Sequence, residues 1–161
     1  MEKEINEKFG GRLRVRVCGI LVNQYGVLMV RHRGLSSAGY FWAPPGGGMN
    51  FGQPATECLI IEFREETGLL ITVEDLLFVN EFHHSPLHTI ELFFRVTQTG
   101  GQLQKGFDPE MSAGRQIIDE VKYFRQADFE EQNGPQLHSV FRNIRQPEQL
   151  LNLKGYFHYW K

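Results

Sequence analysis

The amino-acid sequence predicts an α/β fold, a sheet with helices packed on it, and three observations carry that prediction. The stretch "RLRVRVCGILV" at 12–22 alternates apolar and basic residues and then turns continuously apolar, as a strand does when it runs into the centre of a sheet. Segments 54–66 and 135–145 carry apolar residues at helical spacing. Short strand-like runs recur elsewhere along the chain. With 161 residues and 41% hydrophobic content, the chain is long enough for one buried core and too short for two. It has no internal repeat and no low-complexity linker, so a single domain over 1–161 is expected.

Taken in order, residues 2–9 suit a short helical turn or an arm that stops at Gly10 and Gly11. In the first strand Leu13, Val15 and Val17 alternate with Arg12, Arg14 and Arg16, which assigns the apolar side to the core. Asn23 to Gly26 makes a turn, and "VLMVRH" returns as the second strand of a hairpin. Pro54 suits the first turn of the helix at 54–66, and Gly68 suits the left-handed residue just past its end. Strands are expected at 69–73, 76–82, 88–97 and 119–124. The helix at 135–145 places Leu137, Val140, Phe141 and Ile144 on one face.

Bulk properties narrow the function. A net charge of -2 and a pI near 6.3 lack the basic footprint of a general nucleic-acid binder. Cys18 and Cys58 cannot build a disulfide framework, and the chain opens without a charged-then-apolar leader, so a reducing cytoplasm is the expected compartment. No apolar run approaches the roughly 20 residues that span a bilayer, so no membrane partner is expected.

The chemistry concentrates in "PPGGGMNFGQPATECLIIEFREETGLL" at 44–70. At 3.6 residues per turn, Glu62, Glu65 and Glu66 fall within one arc of roughly 100°, beside the apolar arc of Leu59, Ile60 and Phe63. Like charges so spaced repel by a few tenths of a kcal/mol per pair. Carboxylates at a helix C-terminus also oppose the macrodipole. A solvated acidic face is the plain alternative. A hard divalent cation such as Mg²⁺ fits better, because carboxylate oxygens are its preferred protein ligands. Ahead of the helix, Gly46, Gly47 and Gly48 leave backbone that can approach a phosphate or offer a carbonyl to a metal.

These residues resemble the signature of the Nudix hydrolases, G-x5-E-x7-R-E-U-x-E-E-x-G-U with U bulky and apolar, which aligns without a gap from Gly47 to Leu69. Gly47, Glu62, Phe63, Glu65, Glu66, Gly68 and Leu69 match, while Gln53 and Ile61 replace a glutamate and an arginine. The resemblance implies a Nudix fold, an α/β/α sandwich with a mixed β-sheet. It also implies Mg²⁺ or Mn²⁺ held by Glu62, Glu65, Glu66 and the Gly46 carbonyl, and hydrolysis of a nucleoside diphosphate derivative by water attack at phosphorus. Loss of an acid and a base together conserves the charge of the motif and suggests coordinated change. Ile61 cannot hydrogen-bond, so the glutamates must be positioned otherwise, and a weaker metal site with lowered activity is expected.

Among the other candidates, Arg31, His32 and Arg33 leave the second strand near the glycine loop, and Arg31 and Arg33 are expected to contact phosphate together with Gly47 and Gly48; ordinary surface charge is the alternative. Tyr40, Phe41 and Trp42 offer rings to a base or to the core. His83, His84 and His88 match no zinc spacing. The stretch 97–118 exceeds the roughly 12–15 residues usual for a structureless loop. Asp108, Glu110, Asp119 and Glu120 are therefore candidates for a further ligand or general base, and Glu120 resembles a recurring family acid, giving Glu65, Glu66 and Glu120 as the catalytic set. The position of Pro86 beyond the motif resembles ADP-ribose-hydrolysing members and tilts the substrate toward ADP-ribose or a nucleotide sugar. Attack at the sugar carbon and a nucleotide-sensing module with little turnover stay open as rivals. The tail "GYFHYWK" is expected to cover the core or to form a homodimer contact.

Overall fold

Two sheets share the core. In the computed structural model, which describes residues 10–106 and 117–160, the first is five-stranded and mixed, in the order β5-β1-β7-β6-β9. Its strands are β1 (Leu13–Ile20), β5 (Gly46–Gly48), β6 (Leu69–His84), β7 (Leu87–Gly101) and β9 (Gly155–Trp160). The β1/β7 and β6/β9 pairs are parallel, and the other two are antiparallel. The second sheet is antiparallel, with β3 (Gly26–Arg33) flanked by β2 (Val22–Asn23), β4 (Tyr40–Ala43) and β8 (Ile118–Phe124).

Helix α1 (Ala55–Thr67) buries Cys58, Leu59 and Phe63 in a cluster with Val17, Leu21, Leu28 and Val96. Gly19 makes this seat possible, because a Cβ there would overlap the Phe63 ring. Gly68 ends the helix at φ 72, as its position in the sequence implies. The other cluster gathers Cys18, Met29, Trp42, Phe78, Phe93 and Phe124 under α2 (Gln126–Glu131) and the 3-10 turns Ser139–Phe141 and Pro147–Asn152. The expected α/β arrangement with a mixed sheet is present.

Several elements differ from expectation. The helix expected at 135–145 is replaced by irregular chain with one 3-10 turn, although Leu137, Phe141 and Ile144 are buried as their spacing implies. The backbone there is engaged sideways: Trp42 N–H donates to the Gln136 carbonyl at 2.7 Å, and His138 N–H donates to the Trp42 carbonyl at 3.0 Å. Those groups cannot also serve a helix. The strands expected at 69–73 and 76–82 are one strand, with its register shifted between Val73 and Leu76. The stretch expected as a loop from 97 is strand as far as Gly101. The aromatic tail supplies β9, an edge strand parallel to β6. The arm at 2–9 and the acids Asp108 and Glu110 lie outside the described residues.

Candidate active site

Strand β5 is three glycines wedged between β1 and α1, and each close approach explains the missing side chain. Arg16, Val17 and Cys18 of β1 face Gly48, Gly47 and Gly46 of β5. A Cβ on Gly46 would overlap the Val17 carbonyl, and one on Gly47 would overlap the Glu62 carboxylate. A Cβ on Gly48 would stand 2.7 Å from Nη2 of Arg14. Only glycine lets the backbone and the acidic helix come this near.

Glu66 joins the two pieces. It is buried on α1; its Oε2 accepts the Gly46 N–H at 2.9 Å, and its Oε1 lies 3.4 Å from Nε2 of His32. Glu62 and Glu65 are half-buried on the same helix. The C-terminal carbonyls of α1 are satisfied by following chain: Gly68 N–H donates to Arg64, Gly106 N–H to Glu66 and Gln104 N–H to Thr67, at 2.9–3.0 Å. These bonds fix the last turn, which carries Glu65 and Glu66.

Arg16 completes the cluster. Its Nη2 donates to the Gly46 carbonyl at 3.1 Å. Burial works against its charge, but Cys18, Glu91, Glu66 and Glu62 outweigh that and hold its pKa above the ordinary arginine value. Glu91 lies beside Arg16 in the β1/β7 register and is itself buried. Burial would raise its pKa, but His138 at 2.8 Å, Arg16 and the Asn80 amide at 2.8 Å prevail and hold it below the usual carboxylate range. Burial, and then Glu91, push the Cys18 thiol up, so it is no nucleophile.

The remaining sequence-derived candidates form a second group. Arg31 and Arg33 lie on one face of β3, and His32 lies on the other, toward α1. Arg31 Nε meets Asp119 at 2.7 Å, Arg31 Nη1 meets Glu120 at 2.8 Å, and Arg33 Nε meets Asp119 at 3.0 Å. Desolvation would raise the Asp119 pKa, but both arginines lower it below the ordinary value. Arg31 also lies over the rings of Tyr40 and Trp42, 5.6 Å from each centroid. Trp42 is a core residue. Gln53 Oε1 accepts the Asn50 N–H at 3.3 Å, which fixes the loop before α1, and Ile61 is 38% exposed. The structure therefore brings Gly46, Gly47, Glu62 and Glu66 together and joins Glu120 to Arg31.

Sequence reasoning missed Arg16 and Glu91, and it named His32 only beside Arg31 and Arg33, not as a partner of Glu66. Alternation assigned Arg14 and Arg16 to the solvent side, yet they are half-buried, while Leu13 and Val15 are 59% and 39% exposed. The usable signal was an arginine strand and a strand bearing Glu91, each too polar for its place in a sheet. His88 pairs with Glu81 at 2.8 Å, and His83 stacks on Trp160 at 4.5 Å, so these two histidines have structural partners.

In kind, the donors around Gly46 fit a hard cation, because all are oxygens. Among the described residues, no three His, Cys, Asp or Glu side chains converge as a ready-made metal cage. Among the described residues, no helix is long and apolar enough to cross a membrane.

Comparison with known proteins agrees with this geometry. The chain is 33% identical over 99 residues to an ADP-ribose pyrophosphatase of Methanocaldococcus jannaschii, a match that covers 58% of this chain and 56% of that protein. The chain thus spans little more than half of that relative's length. A UDP-X diphosphatase structure matches 97% of this chain and 75% of its own, with a TM-score of 0.62 and 23% identity. The MutT protein of Methanosarcina mazei Go1 matches 86% of this chain and 92% of its own, with a TM-score of 0.64 and 18% identity. These two likenesses speak to the fold. A family model for the NUDIX domain matches residues 12–144, and the chain belongs to the Nudix hydrolase family.

Proposed function

We propose that this chain hydrolyses the pyrophosphate bond of a nucleoside diphosphate derivative at the junction of β5 and α1, with Mg²⁺ or Mn²⁺ bound there, and that ADP-ribose or a nucleotide sugar is the substrate class. The observation that carries the reading is the meeting of Glu62 and Glu66 with a glycine strand too close for any side chain. The lean toward ADP-ribose rests on the Methanocaldococcus jannaschii relative.

Glu62, Glu65 and Glu66 would hold the ion, together with the Gly46 carbonyl. When bound, such an ion neutralises pyrophosphate charge and makes a coordinated water more acidic. The protein's own part is geometric. Gly47 and Gly48 leave backbone open to phosphate oxygens, and the Gly46–Glu66 hydrogen bond keeps that backbone registered to the acidic helix. Glu65 and Glu66, on the same helix, would be the carboxylates at hand to take the proton of an attacking water. Glu120 would act as base while paired with Arg31 through one oxygen, and Arg31 and Arg33, each held to Asp119 through Nε, would turn their remaining N–H groups to phosphate.

Hydrolysis in heavy-oxygen water tests the reaction type. Attack at phosphorus places the label in a phosphate product; label in the released sugar hydroxyl would assign attack at carbon. Nucleotide binding without turnover under either metal would identify a sensor.

A further inference from the structure

Arg16 bonds the glycine strand from β1. It sits opposite Gly48 on β5 and beside Glu91 on β7, and it donates to the Gly46 carbonyl at 3.1 Å. Glu91, Glu66 and Glu62 all act on its charge. Two of these acids belong to the second half of α1, where the helix dipole adds to their negative potential. Arg31 pairs with Asp119 and Glu120, Arg33 pairs with Asp119, and Ile61 on α1 carries no charge.

We propose that Arg16 is a positioning residue of this site: it fixes the Gly46 carbonyl, so that β5 keeps its setting against Glu66 of α1. It acts through those groups and not on a reacting atom. The inference rests on the reading of α1 as the ion-holding helix. Its consequence for the metal-free protein is separate: the Gly46 N–H, bonded to Glu66, is secured only while Arg16 holds the other side of the same residue.

The test compares the native protein with Arg16→Met and Arg16→Lys, and with Leu150→Ala, in the 3-10 turn Pro147–Asn152, as a core-destabilised control. Exchange of the Gly46 amide, measured without metal and relative to core amides of the same protein, is expected to quicken by about tenfold in Arg16→Met. Mn²⁺ affinity is expected to fall by about tenfold or more, the range seen when partners of metal ligands are removed. Arg16→Lys should recover part of both, and Leu150→Ala should move neither. Native Gly46 exchange in Arg16→Met, with only the melting temperature lowered, would overturn the inference by reducing Arg16 to a structural charge. Arg16→Gln gives the same comparison if the methionine variant does not fold. Failure of the native protein to bind Mn²⁺ would instead overturn the proposed function, while the metal-free Gly46 comparison still decides the role of Arg16.

Discussion

Glu66 accepts the backbone N–H of Gly46 at 2.9 Å, which ties the last turn of α1 to the glycine strand across twenty residues of chain. A carboxylate so placed is doubly constrained, since its other oxygen faces His32 at 3.4 Å. The site is therefore set by one loop, one helix and two sheet strands together, and each contributes a residue whose alteration has a distinct signature.

Gly47→Ala puts a methyl group where the Glu62 carboxylate now lies. The carboxylate must move by an ångström or more, and displacement on that scale costs on the order of a hundredfold in rate. Steady-state kinetics should show that loss in kcat, with the melting temperature lowered by only a few degrees. Native kcat would mean that Glu62 has no role in the chemistry.

The buried Glu91 predicts a pH dependence of stability. Burial would raise its pKa, but His138, Arg16 and Asn80 lower it below the unfolded value. Unfolded chain therefore takes up the proton first as pH falls. The stabilisation is fully present above about 4.3, the unfolded carboxyl value, and is lost as pH falls through the lowered folded value. Thermal melts from about pH 6 down to pH 3 should show a shallower acid decline for Glu91→Gln than for the native protein. At neutral pH the variant should be roughly 3 kcal/mol less stable, because His138 and Arg16 lose a buried partner. Parallel acid limbs would remove Glu91 from the account.

Arg33 separates stability from binding. It is 62% exposed in its pair with Asp119, and exposed pairs contribute at most about 1 kcal/mol. Arg33→Met should leave the melting temperature within about 4 °C of native. If Arg33 reaches phosphate in the bound state, KM should rise several-fold with little change in kcat. An unchanged KM would leave Arg33 as surface charge.

What could be read from the sequence followed physical scale. Thirteen residues of α1, with Gly68 beyond them, gave a period and a stop signal long enough to locate the acids on one arc. Strands β4 and β5, four and three residues long, are too short to show a period, and β5 has no side chains to pattern. At 135–145 the apolar spacing identified the buried residues correctly, but backbone bonds to Trp42 override the helix. In β1, alternation located the strand and placed Val17 inward correctly, but Leu13 and Val15 are exposed while Arg14 and Arg16 are half-buried against the glycine strand. Polar burial of this kind depends on partners that are distant in sequence, such as Glu91, and no local pattern encodes them.

The central claim is that the Glu66-bearing helix holds a divalent ion that hydrolyses a nucleoside diphosphate derivative. Its most direct test is product release from ADP-ribose, nucleotide sugars, nucleoside triphosphates and dinucleoside polyphosphates, with Mg²⁺ and with Mn²⁺, for the native protein beside Glu66→Gln. The account predicts turnover of one class that is abolished by chelator and reduced on the order of a hundredfold or more in the variant. Equal rates in the two proteins across the whole panel would contradict it.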